Sequence, residues 1–590
     1  MPTISISKKD LIELVGKRDL TDEELVNTLN LMKAEVKSLG PDEVLIEVTA
    51  DRPDMFSTEG IARSLKGFLE VEVGLPNYMV EGAERDYAVY VENIVRDVRP
   101  YVACAVVKEC NLGYEGFRQL IQLQEVLHRT HGRNRRKFAI GLHNFDVIDP
   151  PITYTAKPFD SFSFVPLGED IKMTGREILE KHAKGKEYGW IIGEKAKAPL
   201  LIDSGNNILS MPPIINSNLT KVTPQTRNIL IDVTGIDLKA VRWTLTILAC
   251  NLAERGGKIV QFKVHQEGDV ERVEPLMECN IITVSHKRLI EITGIEEPIT
   301  RVIKSLRRVR MEAMIRGDET IDVLVPPYRI DIMDDVDVAE EYAIGYGYDR
   351  ISPIMLPITA HGMELKITSF SRLCRELMIG YGFQEVVSYM ITSDVKLDSA
   401  FMYGKRAKVT KPVSSDYTCL RTSLIPPLLD FLSENTHVEY PQKIFEVGDV
   451  VLIDDRYDVM SFSERRLAAL HADYKVGYED IQAVLYSLLR SLGLKFEVQS
   501  SRMGLMIDGR CGSVRARGIE VGYLGEVKPE VLLKFGLQMP VAAFEISVSK
   551  ILELLNTSIN TPLKQNNIWA AGFLKPQRRG GVTMRGFPDA

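Results

Sequence analysis

The chain has 590 residues, of which 45% are hydrophobic and 26% are charged, and its formal net charge is −8. This length suits about four domains, and the acidic balance excludes a chain-wide attraction to nucleic acid, so any RNA contact must come from a local patch. The scattered cysteines form no C-x-x-C pair, which excludes a zinc ribbon or a disulfide framework and favours a reducing, intracellular compartment. Because no stretch approaches roughly 18 uninterrupted apolar residues, we expect no membrane span.

Residues 1 to 85 form a predicted N-terminal module of helices and strands. A short alternating strand opens it, two helices follow, and EVLIEVT predicts a further strand before another turn and helix. This segment has a counterpart later in the chain, because residues 4–70 align with residues 282–348. The positions that match in order are Ser7 with Ser285, Gly16 with Gly294, Arg52 with Arg329, and Asp54 with Asp331. Copies so far apart predict two related modules at separate places, since a solenoid has a much shorter period.

Residues 90 to 260 form a different block, which contains the basic run HRTHGRNRRK. A solvated basic loop and a phosphate-contacting patch both explain this run. Further on, SMPPIINS places small polar side chains and backbone amides on a rigid turn, and Asp232 follows at the end of a predicted strand. Such groups can line a pocket for a small ligand, although the block holds neither G-x-S-x-G nor a phosphate-binding loop.

A compact acidic segment lies within PPYRIDIMDDVDVAEEYAIGYGYDRI, residues 326–351. Apolar residues spaced at i, i+3, i+4 and i+7 predict a helix over Asp335–Tyr346. Three of its carboxylates have no acidic counterpart in the first module, since Asp337, Glu340 and Glu341 stand where that module has Gly60, Arg63 and Ser64. The shared R-x-D is therefore interpreted as structural. The added carboxylates are explained either by a solvated acidic face or by a site for a hard cation with oxygen ligands.

Residues 355 to 555 combine amphipathic helices with several strands, which predicts an antiparallel sheet with helices on one face. The tail, residues 556–590, is polar and has no periodicity, so we expect a loose extension.

Taken together, the ordered motifs of the chain resemble one family, the beta subunits of phenylalanyl-tRNA synthetases of the archaeal and eukaryotic type. The resemblance covers residues 1 to about 555 and is carried by RPDMFSTEGIAR, FAIGLHNFD, SMPPIINSN, the acidic segment, LRTSLIPPLLD, KIFEVGDVV, DGRCGSV and GYLGEVKPEVLLKFGLQMPVAAFEI. It implies a multidomain α+β fold. The implied parts are the N-terminal module at 1–85, an editing domain of the B3/B4 type at 90–260, a B5-type module at 275–350 and a class II catalytic-like domain at 355–555.

The resemblance also implies an activity, that of phenylalanine–tRNA ligase. The enzyme would be a cytoplasmic heterotetramer of two alpha and two beta chains. The alpha chain would bind ATP and phenylalanine and charge tRNA(Phe), and the beta chain would support it. The residues agree, because a class II second motif has an arginine just before its acidic residue, whereas here Phe445 precedes Glu446. The third motif also lacks its glycines and arginine in VAAFEISVSKILELL. We therefore expect no aminoacylation site in this chain.

Two further sites are implied by the same resemblance. Mg²⁺ would be bound in the B5-type module by Asp331, Asp337, Glu340 and Glu341. The editing domain would hydrolyse tyrosyl-tRNA(Phe), because a phenylalanine pocket discriminates poorly against one added hydroxyl. Its candidate pocket residues are Leu201, Ser210, Asn216 and Asp232, and its candidate RNA contacts are Arg133 and Arg136.

Two other classes of function compete with this interpretation. The chain would be a free-standing editing hydrolase if it worked without an alpha partner, although the remaining modules would then have little purpose. It would be a non-catalytic RNA-binding or scaffold paralogue if both the ligase partner and the hydrolysis were absent.

Overall fold

The computed structural model describes residues 1–266, 271–317, 319–356 and 361–559. The chain divides into two compact units, Met1–Met355 and Leu356–Ala590. Both units mix helices and sheets, so the α+β expectation is confirmed at this level. Over the described ranges, no helix is long and apolar enough to cross a membrane. Most of the predicted tail lies outside the described residues.

The first unit begins with a small module built on a three-stranded antiparallel sheet in the order β1-β3-β2. Its elements are β1 (Thr3–Ser7), α1 (Lys8–Val15), α2 (Asp22–Leu31), β2 (Ala34–Leu39), β3 (Glu43–Val48) and α3 (Thr58–Phe68).

The middle of the first unit is a strongly curved sheet. Its elements are β4 (Val80–Glu81), β5 (Ala88–Val91), β6 (Tyr101–Lys108), α4 (Gly113–Arg129), β7 (Phe138–Asn144), β8 (Ile152–Pro158), β9 (Ser163–Phe164), β10 (Met173–Thr174), α5 (Gly175–Lys181), α6 (Ala183–Tyr188), β11 (Lys197–Ile202), β12 (Ile208–Met211), β13 (Ile215–Asn216), β14 (Ile229–Gly235), α7 (Leu238–Ala253), β15 (Lys258–Gln266) and β16 (Arg272–Glu274). The strand order is β13-β12-β11-β8-β5-β15-β6-β14-β7, with β4 and β16 also paired to β15, and β9 and β10 form a separate two-stranded sheet. The two ends of this order approach each other, since the Asn216 side-chain amide donates to the Leu142 carbonyl oxygen at 3.1 Å.

Strand β14 is buried along its whole length and separates two environments. Its residues Ile229, Ile231 and Val233 belong to the apolar core that also contains residues of α4 and α7. Because side chains alternate along a strand, Asp232 and Thr234 point to the opposite face. The fold thus brings two polar side chains side by side on a buried strand.

The first unit ends with a module that repeats the N-terminal one. Its elements are β17 (Asn280–Ser285), α8 (His286–Thr293), α9 (Ile299–Arg308), β18 (Glu312–Arg316), β19 (Thr320–Val325) and α10 (Asp335–Tyr346). The strand order β17-β19-β18 matches β1-β3-β2.

The capping residues of the two copies confirm the predicted repeat. Ser7 and Ser285 both cap the first helix by accepting a backbone N–H. Gly16 and Gly294 both end it with left-handed backbones, at φ of 80° and 71°, which suit glycine. The predicted helix over Asp335–Tyr346 is also confirmed with the same bounds.

The second unit is built on one seven-stranded sheet in the order β20-β23-β24-β28-β27-β26-β25. Its elements are α11 (Lys366–Gly380), β20 (Gln384–Glu385), β21 (Ile391–Thr392), α12 (Asp394–Ser399), β22 (Cys419–Leu420), α13 (Ile425–Glu434), β23 (Gln442–Ile453), β24 (Ser461–Ala472), α14 (Tyr478–Ser491), β25 (Glu497–Ser500), β26 (Met506–Ala516), β27 (Ile519–Val527), α15 (Pro529–Lys534), β28 (Val541–Ser547) and α16 (Val548–Ile559). The sheet is antiparallel except for the short parallel pair β20–β23. One face of the sheet packs against α11, α14 and α16, and the other face packs against α13 and α15. The prediction of helices on one face only is therefore wrong.

One predicted strand of this unit is wrong. EVVSYMIT, residues 385–392, forms only the ends of two short strands. The Ser388 backbone and hydroxyl instead donate to the Glu446 carboxylate, and the side chains of Val387 and Tyr389 are exposed. A hydrogen bond to a buried side chain therefore replaces the strand pairing that the β-branched and aromatic residues predicted.

Candidate functional site

A cavity of about 420 Å³ lies where the two ends of the curved sheet meet. Its walls come from α4, β7, the turn between β12 and β13, β14 and the start of α6. Three of the four predicted pocket residues line it, namely Ser210, Asn216 and Asp232. The fourth, Leu201, lies opposite Ser210 on β11 and belongs to the adjoining apolar core. The structure thus brings together the polar members of the predicted set.

Asp232 is held from one side by a buried histidine. His143 Nε2 lies 2.8 Å from Asp232 Oδ2, and His143 Nδ1 lies 2.7 Å from Thr220 Oγ1. Gly141, opposite Asp232 on β7, makes room for this contact, because a Cβ there would lie 1.8 Å from Oδ2. Among the described residues, no hydrogen bond engages Oδ1, so this oxygen is left for a ligand in the cavity.

Two hydroxyl groups complete the polar surface of the cavity. Ser210 is 1% exposed, and its Oγ has no hydrogen-bond partner among the described residues. Thr234 Oγ1 accepts from Arg99 Nε at 3.0 Å, so its own proton can be donated elsewhere. A buried polar group without a partner costs free energy, which favours a bound molecule that supplies the missing hydrogen bond.

The remaining wall carries charged groups that already have partners. Arg135 donates to Glu125 at 2.9 Å and to the carbonyl oxygens of Pro213 and Ile214. The hydrogen bond from His128 and the charge of Arg135 outweigh burial and lower the pKa of Glu125 to about 2. His182 Nδ1 accepts the Lys184 N–H, so the other ring nitrogen carries the proton when the ring is neutral. Neither Glu125 nor His182 is therefore suited to accept a proton from water.

The basic run divides into buried and exposed members. Arg133 and Arg136, the predicted RNA contacts, are exposed, whereas Arg135 between them is buried. Left-handed backbone at Arg133, Asn134 and Arg135 causes this division by turning neighbouring side chains in different directions. Arg99 fixes the loop from below by donating to the carbonyl oxygens of Arg135 and Arg136.

The acidic segment is organised around Arg329. Its guanidinium donates to both oxygens of Asp331, at 2.9 and 2.7 Å, and to Glu341 Oε2 at 3.1 Å. Glu341 Oε1 lies 2.7 Å from Nη2 as an ion pair without an aligned hydrogen bond. Burial opposes the charged form, yet Glu341 and Asp331 raise the pKa of Arg329 well above its usual range.

The other two predicted metal ligands have different partners. Asp337 accepts the N–H groups of Met333 and Asp334 in a capping box at the start of α10. Glu340 pairs with Lys33 of the N-terminal module at 2.9 Å. In the described ranges, no three His, Cys, Asp or Glu side chains come together so as to hold a metal ion. The four carboxylates do not fit Mg²⁺ in this arrangement, and a magnesium site here stays a prediction.

The first module shows which of these contacts are common to both copies. Arg52 donates to both oxygens of Asp54 at 2.9 Å and to Ser64 Oγ at 3.3 Å. Ser64 therefore takes the place that Glu341 has in the second copy, as the sequence alignment predicted. The R-x-D pair is the shared structural frame, and Glu341 adds a second charge to it.

The second unit carries a buried polar network on the sheet face opposite its main helices. Arg421 donates to Glu446 at 2.7 Å, and Arg466 donates to Glu464 at 2.6 Å. Glu545 accepts from Ser423 at 2.6 Å and from Tyr523 at 2.5 Å. Phe445, which the sequence predicts to replace the phosphate-binding arginine of a class II enzyme, is fully buried in the opposite core. Both arginines of this network are already paired with carboxylates.

Two family profiles match the chain. A "Phenylalanyl tRNA synthetase beta chain CLM domain" matches residues 353–548, and a "tRNA synthetase B5 domain" matches residues 282–348. The second match has the same bounds as the second copy of the predicted repeat.

Curated relatives match over nearly their whole length. The phenylalanine–tRNA ligase beta subunit of Korarchaeum cryptofilum is 42% identical over 554 residues, covering 93% of this chain and 98% of the relative. The beta subunit of Pyrococcus furiosus is 40% identical, covering 92% and 99%. The crystal structure of an N-terminal fragment of the Pyrococcus horikoshii beta subunit superposes with a TM-score of 0.56 at 38% identity, covering 58% of this chain and 99% of the fragment.

The designation of the relatives as beta subunits implies an alpha-subunit partner. The chain therefore belongs to the family of phenylalanine–tRNA ligase beta subunits, and its function is that of a subunit of the ligase complex.

Proposed function

We propose that the cavity between the ends of the curved sheet is an editing site that hydrolyses tyrosyl-tRNA(Phe). The observation that carries this proposal is Ser210 Oγ, a buried hydroxyl without a partner, next to the Asp232 carboxylate. The volume of about 420 Å³ falls within the range of about 300–1,000 Å³ that is typical of small-molecule sites.

The chemistry of the cavity favours tyrosine over phenylalanine. A site that hydrogen-bonds a hydroxyl rejects the analogue without it strongly, because its buried polar groups are then left unpaired. Asp232 offers an acceptor, while Thr234 and Ser210 offer hydroxyl donors. Asn216 is tied to Leu142 and holds the two walls together. A tyrosyl group can satisfy these groups, whereas phenylalanine cannot.

The hydrolysis itself is proposed to use a positioned water and the hydroxyls of the RNA. Asp232 accepts from His143, Glu125 has a lowered pKa of about 2, and His182 Nδ1 accepts a backbone N–H. None of these three described side chains is suited to take a proton from water. A ribose hydroxyl of the bound tRNA is therefore the better candidate to activate the water. Arg133 and Arg136 are proposed to contact RNA phosphates beside the cavity, where their positive charge offsets the acidic balance of the chain.

The experiment is hydrolysis of tyrosyl-tRNA(Phe) by the complex reconstituted with an alpha subunit. Ser210→Ala should slow hydrolysis about tenfold, the usual effect of losing one hydrogen bond of about 1.4 kcal/mol. Ser204→Ala is the matched control, because Ser204 is an exposed serine in the turn between β11 and β12. If both variants hydrolyse tyrosyl-tRNA(Phe) as fast as the wild type, Ser210 does not belong to the site.

We further propose that the second unit is a class II catalytic-like domain without its own ATP site. Support comes from Phe445 in the position of the phosphate-binding arginine and from Arg421 and Arg466, whose charges are neutralised by buried carboxylates. Charging would then take place on the alpha chain, in a heterotetramer of two alpha and two beta chains that binds ATP, phenylalanine and tRNA(Phe). Phenylalanine-dependent ATP–pyrophosphate exchange should be absent with this chain alone and appear when the alpha chain is added.

Magnesium and location complete the proposal. Mg²⁺ at the acidic segment would require Asp331 and Glu341 to release Arg329, and no step of the proposed chemistry depends on it.

Since a tRNA ligase works where translation takes place, we place the complex in the cytoplasm.

A further inference from the structure

A buried chain of three side chains lies directly behind the proposed editing cavity. His143 on β7 and Thr220, after β13, are both completely buried, and neither lines the cavity. His143 joins Thr220 to Asp232 through contacts of 2.7 and 2.8 Å. Of these three side chains, Asp232 is the one that faces the cavity.

The hydrogen-bond directions among Thr220, His143 and Asp232 follow from the partners of the imidazole. The Thr220 hydroxyl has one proton, and its alternative acceptor, the Ser217 carbonyl oxygen, is 3.4 Å away. Because the Asp232 carboxylate is an acceptor, a neutral His143 needs its proton on Nε2, and the Thr220 hydroxyl is then the donor to Nδ1 at 2.7 Å. With Nδ1 acting as an acceptor, a neutral imidazole carries its proton on Nε2 and donates it to Asp232 Oδ2.

We infer that His143 is a positioning residue for Asp232, and that Thr220 selects the imidazole tautomer that makes this possible. The inference rests on the proposed editing function and explains why the site would select tyrosyl-tRNA(Phe) over phenylalanyl-tRNA(Phe). A polar group on a buried strand needs a hydrogen-bond partner, and a fixed donor on Oδ2 directs Oδ1 toward the cavity. Gly141 belongs to the same arrangement, since any side chain there would occupy the space of Asp232 Oδ2.

A positioning role predicts a loss of selectivity in addition to a loss of rate. Asp232 in the wrong orientation cannot accept the tyrosine hydroxyl, whereas phenylalanine makes no such hydrogen bond. Damage to the pocket as a whole would slow both substrates alike. The quantity to measure is therefore the ratio of kcat/KM for tyrosyl-tRNA(Phe) to kcat/KM for phenylalanyl-tRNA(Phe).

The test uses the full complex with three variants. His143→Phe removes the donor and should reduce the ratio about tenfold or more. Thr220→Val keeps the shape of Thr220 but removes its proton, so the imidazole can turn a lone pair toward Asp232, and the ratio should fall as well. His143→Gln can place an amide N–H near the position of Nε2 and should keep most of the selectivity.

Phenylalanine charging by the same preparations reports whether the complex has assembled, because that reaction is proposed to occur on the alpha chain. The inference is overturned if His143→Phe and Thr220→Val keep the wild-type ratio, or if His143→Gln loses as much selectivity as His143→Phe. If His143→Phe fails to assemble, the Thr220→Val ratio decides. A wild-type complex that does not hydrolyse tyrosyl-tRNA(Phe) would instead overturn the editing proposal, and this inference with it.

Discussion

The charge of Arg329 should be essential for the stability of the first unit. In Arg329→Met, the carboxylate of Asp331 loses its cation and Glu341 keeps only Lys33, at 3.9 Å, while the two acidic side chains are only 7% and 1% exposed. Removing one partner of a buried ion pair typically costs about 3–5 kcal/mol, because the remaining charge is left without compensation. We expect a loss of that size in the free energy of unfolding.

The measurement is urea unfolding of the full chain followed by tryptophan fluorescence. Trp190 and Trp243 lie in the first unit, and the third tryptophan, Trp569, is replaced by phenylalanine in every variant so that the signal reports on this unit. The control is Arg288→Ala, since Arg288 pairs with Asp335 on the same module at 3.1 Å but is half-exposed. An exposed pair contributes about 0–1 kcal/mol. Equal effects of the two substitutions would refute the view that Arg329 neutralises the acidic segment.

The same experiment decides between Arg329 and a metal ion as the cation. A ligand that binds only the folded chain stabilises it by about 2.7 kcal/mol at a hundredfold excess over its Kd. In the wild type, millimolar Mg²⁺ or a chelator should leave the unfolding curve unchanged, because Asp331 and Glu341 are occupied by Arg329. A curve that shifts to higher urea with Mg²⁺ and back with the chelator would show that these carboxylates are metal ligands.

Three more predictions follow from the first unit. Burial lowers the pKa of His128 to about 4, so its neutral form stabilises the fold above pH 6.5 and this stabilisation is lost as the pH falls toward 4. The stability difference between the wild type and His128→Gln should therefore shrink by about 2 kcal/mol between about pH 7 and 4.5, and a pH-independent difference would contradict the neutral assignment. Replacing both Arg133 and Arg136 by alanine should raise KM for tyrosyl-tRNA(Phe) and weaken its salt dependence, whereas Lys172→Ala should not; equal effects would remove the two arginines from the RNA interface. Gly141→Ala should destabilise the chain by about 1–3 kcal/mol and abolish editing, because its Cβ meets Asp232 Oδ2 at 1.8 Å. The control Gly82→Ala meets no atom within 4 Å and should leave stability and editing unchanged. A stable, active Gly141→Ala would contradict the packing behind Asp232.

The repeat shows how far sequence comparison could go. Aligning the two copies predicted that Arg52–Asp54 and Arg329–Asp331 are one structural frame, and both pairs have the same bidentate geometry. The alignment could not predict that Glu341 is completely buried against Arg329. Acidic residues on a helix are usually solvated, and the cation that compensates this one is twelve residues away in sequence.

The cavity shows the opposite balance. Thr234 was not among the predicted pocket residues. It lies two residues after Asp232, so strand alternation alone would have been enough to add it. His143 was present in the quoted motif FAIGLHNFD, but its role depends on the register that sets Gly141 opposite Asp232. Leu201 was predicted as a pocket residue, and it lies opposite Ser210 on β11, yet its side chain belongs to the apolar core. Pairing register between distant strands is set by tertiary packing, and local pattern does not specify it.

The most direct test of the account is clearance of tyrosyl-tRNA(Phe) by the reconstituted complex, comparing the wild type with Asp232→Ala while charging is assayed in the same preparations. The wild type should hydrolyse tyrosyl-tRNA(Phe) faster than phenylalanyl-tRNA(Phe). Asp232→Ala should lose this hydrolysis while charging with phenylalanine continues. Undiminished clearance by Asp232→Ala would contradict the assignment of editing to this cavity.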